Sequence, residues 1–103
     1  MADYKLLVYT NAAPGQDDAF NTWYDDIHLG EVYQVDGIST ALRYDILEKA
    51  DDDVLPHRYL AIYELSTDDP QGVLKELSRR ARSGVFNMSP SLADPVLTLI
   101  KQR

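Results

Sequence analysis

The strand-like segments of this chain carry apolar side chains on both of their faces. In the first segment, residues 4–10, Leu6 and Val8 point to one side while Leu7 and Tyr9 point to the other. Such a pattern is typical of a strand in a sheet that is covered on both faces. The chain has 103 residues, which is enough for one domain and too few for two. A second copy of the chain is therefore the simplest cover for one face of the sheet.

The predicted elements follow one another in the order β-α-β-β-α-β within a single domain. Strands are predicted at residues 4–10, 38–47, 57–65 and 95–101, and helices at residues 16–29 and 70–83. The second helix has an Asp69 cap before Pro70 and a Gly84 at its end. This order predicts a ferredoxin-like α+β fold, in which two helices pack on one face of a four-stranded antiparallel sheet. The uncovered face predicts a homodimer formed sheet to sheet.

Charge and composition exclude several classes of protein. The formal charge of −7 argues against a nucleic-acid partner, since phosphates attract a basic surface. The absence of Cys excludes disulfides and zinc–thiolate sites. The apolar runs are far shorter than the ~20 residues of a membrane span. The N-terminal residues show no signal pattern. A cytoplasmic protein without a membrane partner is expected.

The first predicted helix concentrates residues that can carry chemistry. It contains the only Trp, Trp23, and one of the two His, His28. Phe20, Trp23 and Ile27 have the spacing of one helical face, which predicts that they anchor the helix to the sheet. Tyr24 and His28 lie beside that face, at the border where a pocket can open.

Three features after this helix shape the rest of the prediction. Gly30 is expected to weaken or end the helix, because glycine is a poor helix former, and residues 31–35 could form a further short turn. Asp36 and Gly37 form a turn dipeptide before the second strand. Residues 85–94 are irregular and long for a connection, so they are expected to cover another part of the protein.

The chain resembles the EthD-like proteins of the dimeric α+β barrel superfamily in the segments FNTWYDDIHLGEV (20–32), VDGI (35–38) and ALRYDI (41–46). The matching positions are Trp23, Tyr24, His28, Leu29, Glu31, Val32, Gly37 and Arg43. Gly30 and Asp36 depart from the pattern, since the family usually has Pro at these positions.

This resemblance implies a homodimer whose paired sheets close a barrel, with a pocket in each subunit between sheet and helices. Relatives in the superfamily include cofactor-free monooxygenases of polyketide quinones, polyketide cyclases, lactone isomerases and heme enzymes. The fold therefore selects no single reaction.

His28 is the main candidate for a catalytic acid or base, because imidazole titrates near neutral pH. Its alternative role is to cap the end of the helix. Tyr24, one turn earlier, could position and protonate a phenolate or enolate oxygen. Arg43 could hold a carboxylate or enolate of the substrate. Alternatively, Arg43 pairs with Asp45 or Glu64.

Aromatic side chains suit a flat ligand, and equally suit packing in the core or a dimer interface. The remaining candidates for substrate binding are Trp23, Tyr9 and Tyr59. Asp25, His28 and Glu31 have a spacing that could hold a metal, but the expected break between them argues against it. We therefore predict a small-molecule protein without metal or cofactor, acting on a hydrophobic aromatic or polyketide-like substrate. The alternatives are a non-catalytic, stress-type homodimer that binds such a ligand, and an interaction module without a pocket.

Overall fold

The computed structural model describes residues 2–103. The elements are β1 (Ala2–Ala12), α1 (Asp17–Trp23), a π-helical turn (Tyr24–His28), α2 (Leu29–Tyr33), β2 (Ile38–Asp45), β3 (Tyr59–Thr67), α3 (Pro70–Ser83) and β4 (Leu92–Ile100). The strands form one antiparallel sheet in the order β2-β3-β1-β4. The predicted ferredoxin-like α+β fold is confirmed. Within residues 2–103, none of the helices combines the length and the apolar character needed to cross a membrane.

The hydrophobic core lies between the helices and one face of the sheet. Alternation along β1 places Leu6 and Val8 in this core, as predicted, and Leu65 joins them from β3. Phe20 of α1 and Val32 of α2 are buried against the same cluster. Each fully buried apolar side chain of this size contributes about 1.5–3 kcal/mol, so these contacts fix the helical layer on the sheet.

The opposite face of the sheet exposes apolar side chains. Leu42 is 55% exposed and Tyr44 46% on β2, and Val96 is 48% exposed and Ile100 42% on β4. Antiparallel pairing places Val96 opposite Tyr9, so both outer strands and the central β1 carry apolar groups on this face. A patch of this kind is typical of an interaction surface.

The strand ends differ from the predicted ones. β1 is longer at both ends because Ala2 lies opposite Thr67 and Ala12 lies opposite Leu92. β3 therefore covers Tyr59–Thr67 rather than residues 57–65, and β4 begins at Leu92 rather than at residue 95. β2 ends at Asp45 rather than at residue 47.

A register shift at the start of β2 changes the predicted orientation of one side chain. The pairing with β3 shifts between Ile38 and Thr40. Strict alternation along residues 38–47 would place Ile38 on the side of Thr40 and Leu42, yet Ile38 is buried in the core. An irregularity of one residue reverses the face of a side chain, because side chains alternate along a strand.

The first helical region continues past Gly30, so the predicted helix end near residue 29 is wrong, and the further short turn expected over residues 31–35 is the end of α2. α2 runs to Tyr33, and both Val32 and Val35 are buried. Glycine inside a helix costs roughly 0.5–1 kcal/mol. Burying one valine side chain contributes about 1.5–3 kcal/mol. Packing beyond Gly30 therefore outweighs the local cost of the glycine.

α3 begins and ends as predicted. The Asp69 carboxylate accepts a hydrogen bond of 3.0 Å from the Gly72 N–H, which caps the first turn. Gly84 follows the last turn with a φ of 85°, in the left-handed conformation that glycine adopts without strain. Val73 and Leu77 are the buried residues of this helix.

Gly37 provides a test of the turn that leads into β2. Its φ is 96°, and a Cβ at this position would lie 2.8 Å from Val73 Cγ2. We expect Gly37→Ala to lower the free energy of unfolding by about 2–3 kcal/mol, from backbone strain and crowding together. Gly15→Ala is the matched control, because its φ is 74° and a Cβ would meet nothing within 4 Å.

The control isolates backbone strain, which costs about 1–2 kcal/mol. Urea unfolding of both variants measures the difference. Equal losses at Gly37 and Gly15 would show that the contact with Val73 contributes nothing.

Candidate functional site

The π-helical turn at Tyr24–His28 sets the geometry of the site. In an α-helix, residues five apart lie about 140° apart around the axis and cannot stack. The wider π turn brings such residues to the same side. Trp23 and His28 accordingly stack, with ring centroids 4.6 Å apart and an angle of 18° between ring planes. Ile27, predicted to anchor the helix, is 41% exposed because His28 takes the inward position.

Aromatic rings enclose His28 on its other sides. The Tyr24 ring lies 4.9 Å away in an edge arrangement, and the Phe86 ring lies 5.3 Å away at 89°. His28 is only 8% exposed. Phe86 belongs to the connection between α3 and β4, so this connection covers the histidine, in agreement with its predicted covering role.

A carboxylate faces one nitrogen of the imidazole. Glu31 Oε1 lies 3.3 Å from His28 Nδ1. Burial lowers the pKa of His28 from its ordinary value of 6.5, although the hydrogen bond to Glu31 opposes the shift. A proton on Nδ1 facing Glu31 leaves Nε2 as the basic nitrogen. His28 does not cap a helix end, since the helical region runs on to Tyr33.

Tyr24, which contacts the His28 ring, is paired with a second tyrosine. The hydroxyl of Tyr24 is hydrogen-bonded to the hydroxyl of Tyr63 on β3, and both side chains are buried. Burial raises the pKa of Tyr24 to about 12 and the pKa of Tyr63 well above 10.0. Both phenols therefore stay protonated at neutral pH, so they can donate hydrogen bonds.

Arg43 lies on the other side of Tyr24. Its guanidinium carbon is 4.4 Å from the centroid of the Tyr24 ring. Its terminal nitrogens donate to Asp25 Oδ1 at 2.9 Å and to Asn21 Oδ1 at 2.8 Å. The acidic partner is therefore on the helical layer and is neither of the two strand residues expected. Arg43 Nε is buried and has no hydrogen-bond partner within residues 2–103.

The other two aromatic candidates lie apart from His28. Tyr59 contacts Phe20, with ring centroids 5.5 Å apart, and its hydroxyl donates to Asp17 Oδ2 at 2.5 Å. Tyr9 lies on the opposite face of the sheet, where its ring is 5.8 Å from that of His57. The structure therefore brings Trp23, Tyr24, His28 and Arg43 together. Tyr59 lies at the edge of this group and Tyr9 outside it.

Two clefts on the surface of residues 2–103 lie away from His28. One apolar cleft of about 460 Å³ lies on the open face of the sheet, between Tyr9, Leu60 and the loop that contains Val54 and Leu55. Another of about 680 Å³ lies at one end of the sheet, beside Tyr4 and Lys101. Neither cleft is lined by His28, Tyr24 or Tyr63, so the chemistry of these buried side chains, rather than cleft size, identifies the candidate site.

Two residues of the site were missed from the sequence. Tyr63 shares its strand face with Ala61, and this alternation is a signal that places its side chain towards the helices. Phe86 lies in an irregular segment without periodicity, so no pattern pointed to its contact with His28. Among residues 2–103, no three His, Asp or Glu side chains are grouped as ligands of a metal ion.

The burial of His28 makes stability depend on pH. Its lowered pKa means that the unfolded chain takes up a proton at a pH where the folded chain does not. The stabilisation is fully present above a pH of about 6.5 and is lost as the pH falls through the folded pKa, with a limiting slope of about 1.4 kcal/mol per pH unit. Replacing His28 by Gln should remove this slope.

Urea unfolding between about pH 5 and pH 6.5 measures the effect, since most carboxylates stay ionised in this window. Glu31→Gln is the companion variant. It removes the group that opposes the shift, so the slope should extend to lower pH. A His28→Gln variant with the slope of the wild type would contradict the neutral, buried imidazole.

Comparison with known proteins shows similarity at the level of the fold. No family model matches the sequence, and no curated protein matches it. A candidate monooxygenase from Shewanella loihica PV-4 is similar with a TM-score of 0.66 and 11% identity, over 99% of this chain and 95% of that protein. Rv0793 from Mycobacterium tuberculosis is similar with a TM-score of 0.58 and 15% identity, over 99% and 96% of the two chains.

An EthD family protein from Bacillus halodurans C-125 is similar with a TM-score of 0.55 and 12% identity, over 98% of this chain and 99% of that one. All three similarities extend over nearly the whole of both chains. At such low identity they show a shared fold and no shared reaction. They agree with the resemblance seen in the segment from Phe20 to Val32. The chain has the α+β fold of an EthD family protein.

Proposed function

We propose that the protein binds a small hydrophobic aromatic molecule beside His28, and that this histidine transfers a proton to or from it. The observation that carries the proposal is the buried imidazole, whose pKa is lowered by burial and whose Nδ1 faces Glu31. An imidazole that is neutral at pH 7, with one nitrogen directed at a carboxylate, offers the other nitrogen as a general base. No cofactor or metal is needed for such a proton transfer.

The surroundings of His28 support an aromatic ligand. Trp23 and Phe86 present apolar ring surfaces, which favour a flat apolar molecule. If Tyr63 donates its proton to Tyr24, the Tyr24 hydroxyl can donate to an oxygen of the ligand. Arg43 Nε is buried without a partner in the described part of the chain, and it could bind the same oxygen. The similarity in fold to a candidate monooxygenase supports small-molecule chemistry.

We also propose that the functional unit is a homodimer. The support is the exposed apolar face of the sheet, where Leu42, Tyr44, Val96 and Ile100 are each more than 40% exposed. A second copy placed sheet to sheet would cover these side chains. Light scattering at micromolar concentration should give twice the mass of one chain. A monomeric mass under these conditions would contradict the dimer.

Titration with 1-naphthol, a flat ring system with one hydroxyl, tests the proposed site. We expect saturable binding by calorimetry in the wild type and at least a tenfold weaker affinity in His28→Ala, since a hydrogen bond to the hydroxyl is lost. His57→Ala is the control, because His57 is the only other histidine and contacts Tyr9 on the opposite face. Equal affinities of the wild type and His28→Ala would refute the proposed site.

A non-catalytic binding protein is the second candidate, favoured by the covered state of His28. The two candidates differ in turnover and share ligand binding. With a substrate that is converted, His28→Ala should lower kcat by about 100- to 10,000-fold if the histidine is the acid or base. Equal kcat values would remove His28 from the reaction.

A further inference from the structure

Residues 84–91 form the connection that closes over His28. Phe86 is 3% exposed in this connection, whereas Val85 is 56% exposed and Met88 36%. Phe86 is therefore a buried aromatic side chain carried by a surface segment. The Phe86 ring contacts the imidazole of His28. The proposed function requires this imidazole to contact the ligand.

The backbone of Asn87 is fastened on both sides. Its N–H donates to Glu31 Oε2 at 2.6 Å, and its carbonyl accepts from the Trp23 indole N–H at 2.6 Å. The other oxygen of Glu31 faces His28. The carboxylate that orients the histidine thus also holds the segment that covers it.

The connection is anchored at its two ends. The Phe86 N–H donates to the Arg80 carbonyl at 3.0 Å, at the end of α3. The Ser91 carbonyl accepts from the Ala13 N–H at 2.7 Å, next to β1. Between these anchors the Phe86 ring and the two Asn87 bonds hold the connection to the helical layer. The Phe86 ring contact and the two Asn87 bonds belong neither to α3 nor to the pairing of β4 with β1.

We infer that residues 84–91 are a lid, and that the Phe86 ring occupies the place of an aromatic ring of the ligand. This inference rests on the proposed function, because the ligand is the molecule on which His28 would act. A phenol can replace Phe86 because its hydroxyl adds a hydrogen bond to His28 that a phenylalanine side chain lacks. The ligand class is therefore an aromatic molecule with a phenolic hydroxyl.

Amide hydrogen exchange tests whether the connection opens by itself. In the wild type, the Asn87 amide should exchange faster than the Leu7 amide in the middle of the sheet. In Glu31→Ala, the Asn87 amide should exchange at least about tenfold faster than in the wild type. The exchange rate of the Leu7 amide should change no more in Glu31→Ala than in the control Glu64→Ala, which removes a carboxylate on the opposite face of the sheet. Equal exchange of Asn87 and Leu7 in the wild type would overturn the lid.

A phenol titration followed by nuclear magnetic resonance tests the place of the ring. The chain has two histidines, so two sets of imidazole signals report on the two faces. In Phe86→Ala, phenol should shift the His28 signals, leave those of His57 in place, and bind at least about tenfold tighter than in the wild type, since no lid must open. Phe86→Leu, which keeps more of the packing, should be intermediate. Binding no tighter in either variant than in the wild type would overturn the inference.

Failure of the lid and failure of the proposed function give different results. One outcome is that 1-naphthol binds the wild type through His28, while the Asn87 amide exchanges no faster in Glu31→Ala than in the wild type. In that case the lid is wrong and the proposed function stands. If the Asn87 amide behaves as expected but 1-naphthol binds His28→Ala as tightly as the wild type, the proposed function is wrong.

Discussion

Replacing Phe20 by Ala is expected to lower the free energy of unfolding by about 3–5 kcal/mol. Phe20 has 0% exposure. Its ring stands edge-on to Tyr24 at 5.7 Å and contacts Tyr59 at 5.5 Å, so it joins the helical layer to the sheet. A cavity at this position cannot collapse easily, because a strand lies on one side and a helix on the other. Thermal and urea unfolding measure the loss.

Phe86→Ala is the matched comparison, since Phe20 and Phe86 are the two phenylalanines of the chain. We expect it to cost less than half as much, because a surface connection can relax into the space left by the ring. Phe20→Leu, which keeps most of the side-chain volume, should also lose less than half of the free energy of unfolding that Phe20→Ala loses. Equal losses for Phe20→Ala and Phe86→Ala would mean that Phe86 is part of the rigid core.

Arg43→Ala is expected to cost about 2–4 kcal/mol, from a charge-assisted hydrogen bond and a desolvated cation–π contact. The Arg43 side chain is only 10% exposed and packs on the Tyr24 ring. Arg43→Lys should recover less than half of the loss, because lysine lacks the planar fork that bonds Asp25 and Asn21 together. Urea unfolding provides the measurement.

Arg58→Ala is the control for this prediction. Arg58 forms a shorter ion pair, with Nη2 2.6 Å from Asp17 Oδ2, but its side chain is 54% exposed. Solvent screening limits such a pair to about 0–1 kcal/mol. Burial, rather than the length of the ion pair, should therefore decide the cost. A larger loss for Arg58→Ala than for Arg43→Ala would contradict this ranking.

Most of the fold could be predicted because it depends on local patterns. The alternation around Leu6 and Val8 assigns the faces of the central strand, since side chains on a strand alternate strictly. Asp69 and Gly84 mark the ends of α3 through the chemistry of helix caps. The helix end predicted from Gly30 was wrong because helix propensity is a weak signal, which the burial of Val32 overrides.

The candidate site could be predicted only in part. His28 and Tyr24 stood out by residue type and by the resemblance to EthD-like proteins. The π-helical turn that stacks His28 on Trp23 has no local signal, because it is stabilised by packing between the rings and the sheet. Phe86 reaches His28 across more than fifty residues of chain, from a segment without periodicity. Such a contact depends on the tertiary structure.

The central claim is that His28 is a neutral imidazole whose Nδ1 proton faces Glu31 and whose Nε2 is available as a base. Nitrogen chemical shifts of the two histidines, recorded from about pH 5 to pH 8, test it directly because tautomer and pKa are read from the same signals. We predict that His28 is protonated on Nδ1 at neutral pH and has a pKa below 6.5. The signals assigned to His28 should be absent from the spectra of His28→Gln. A pKa above 6.5, or a proton on Nε2, would contradict the proposed role of His28.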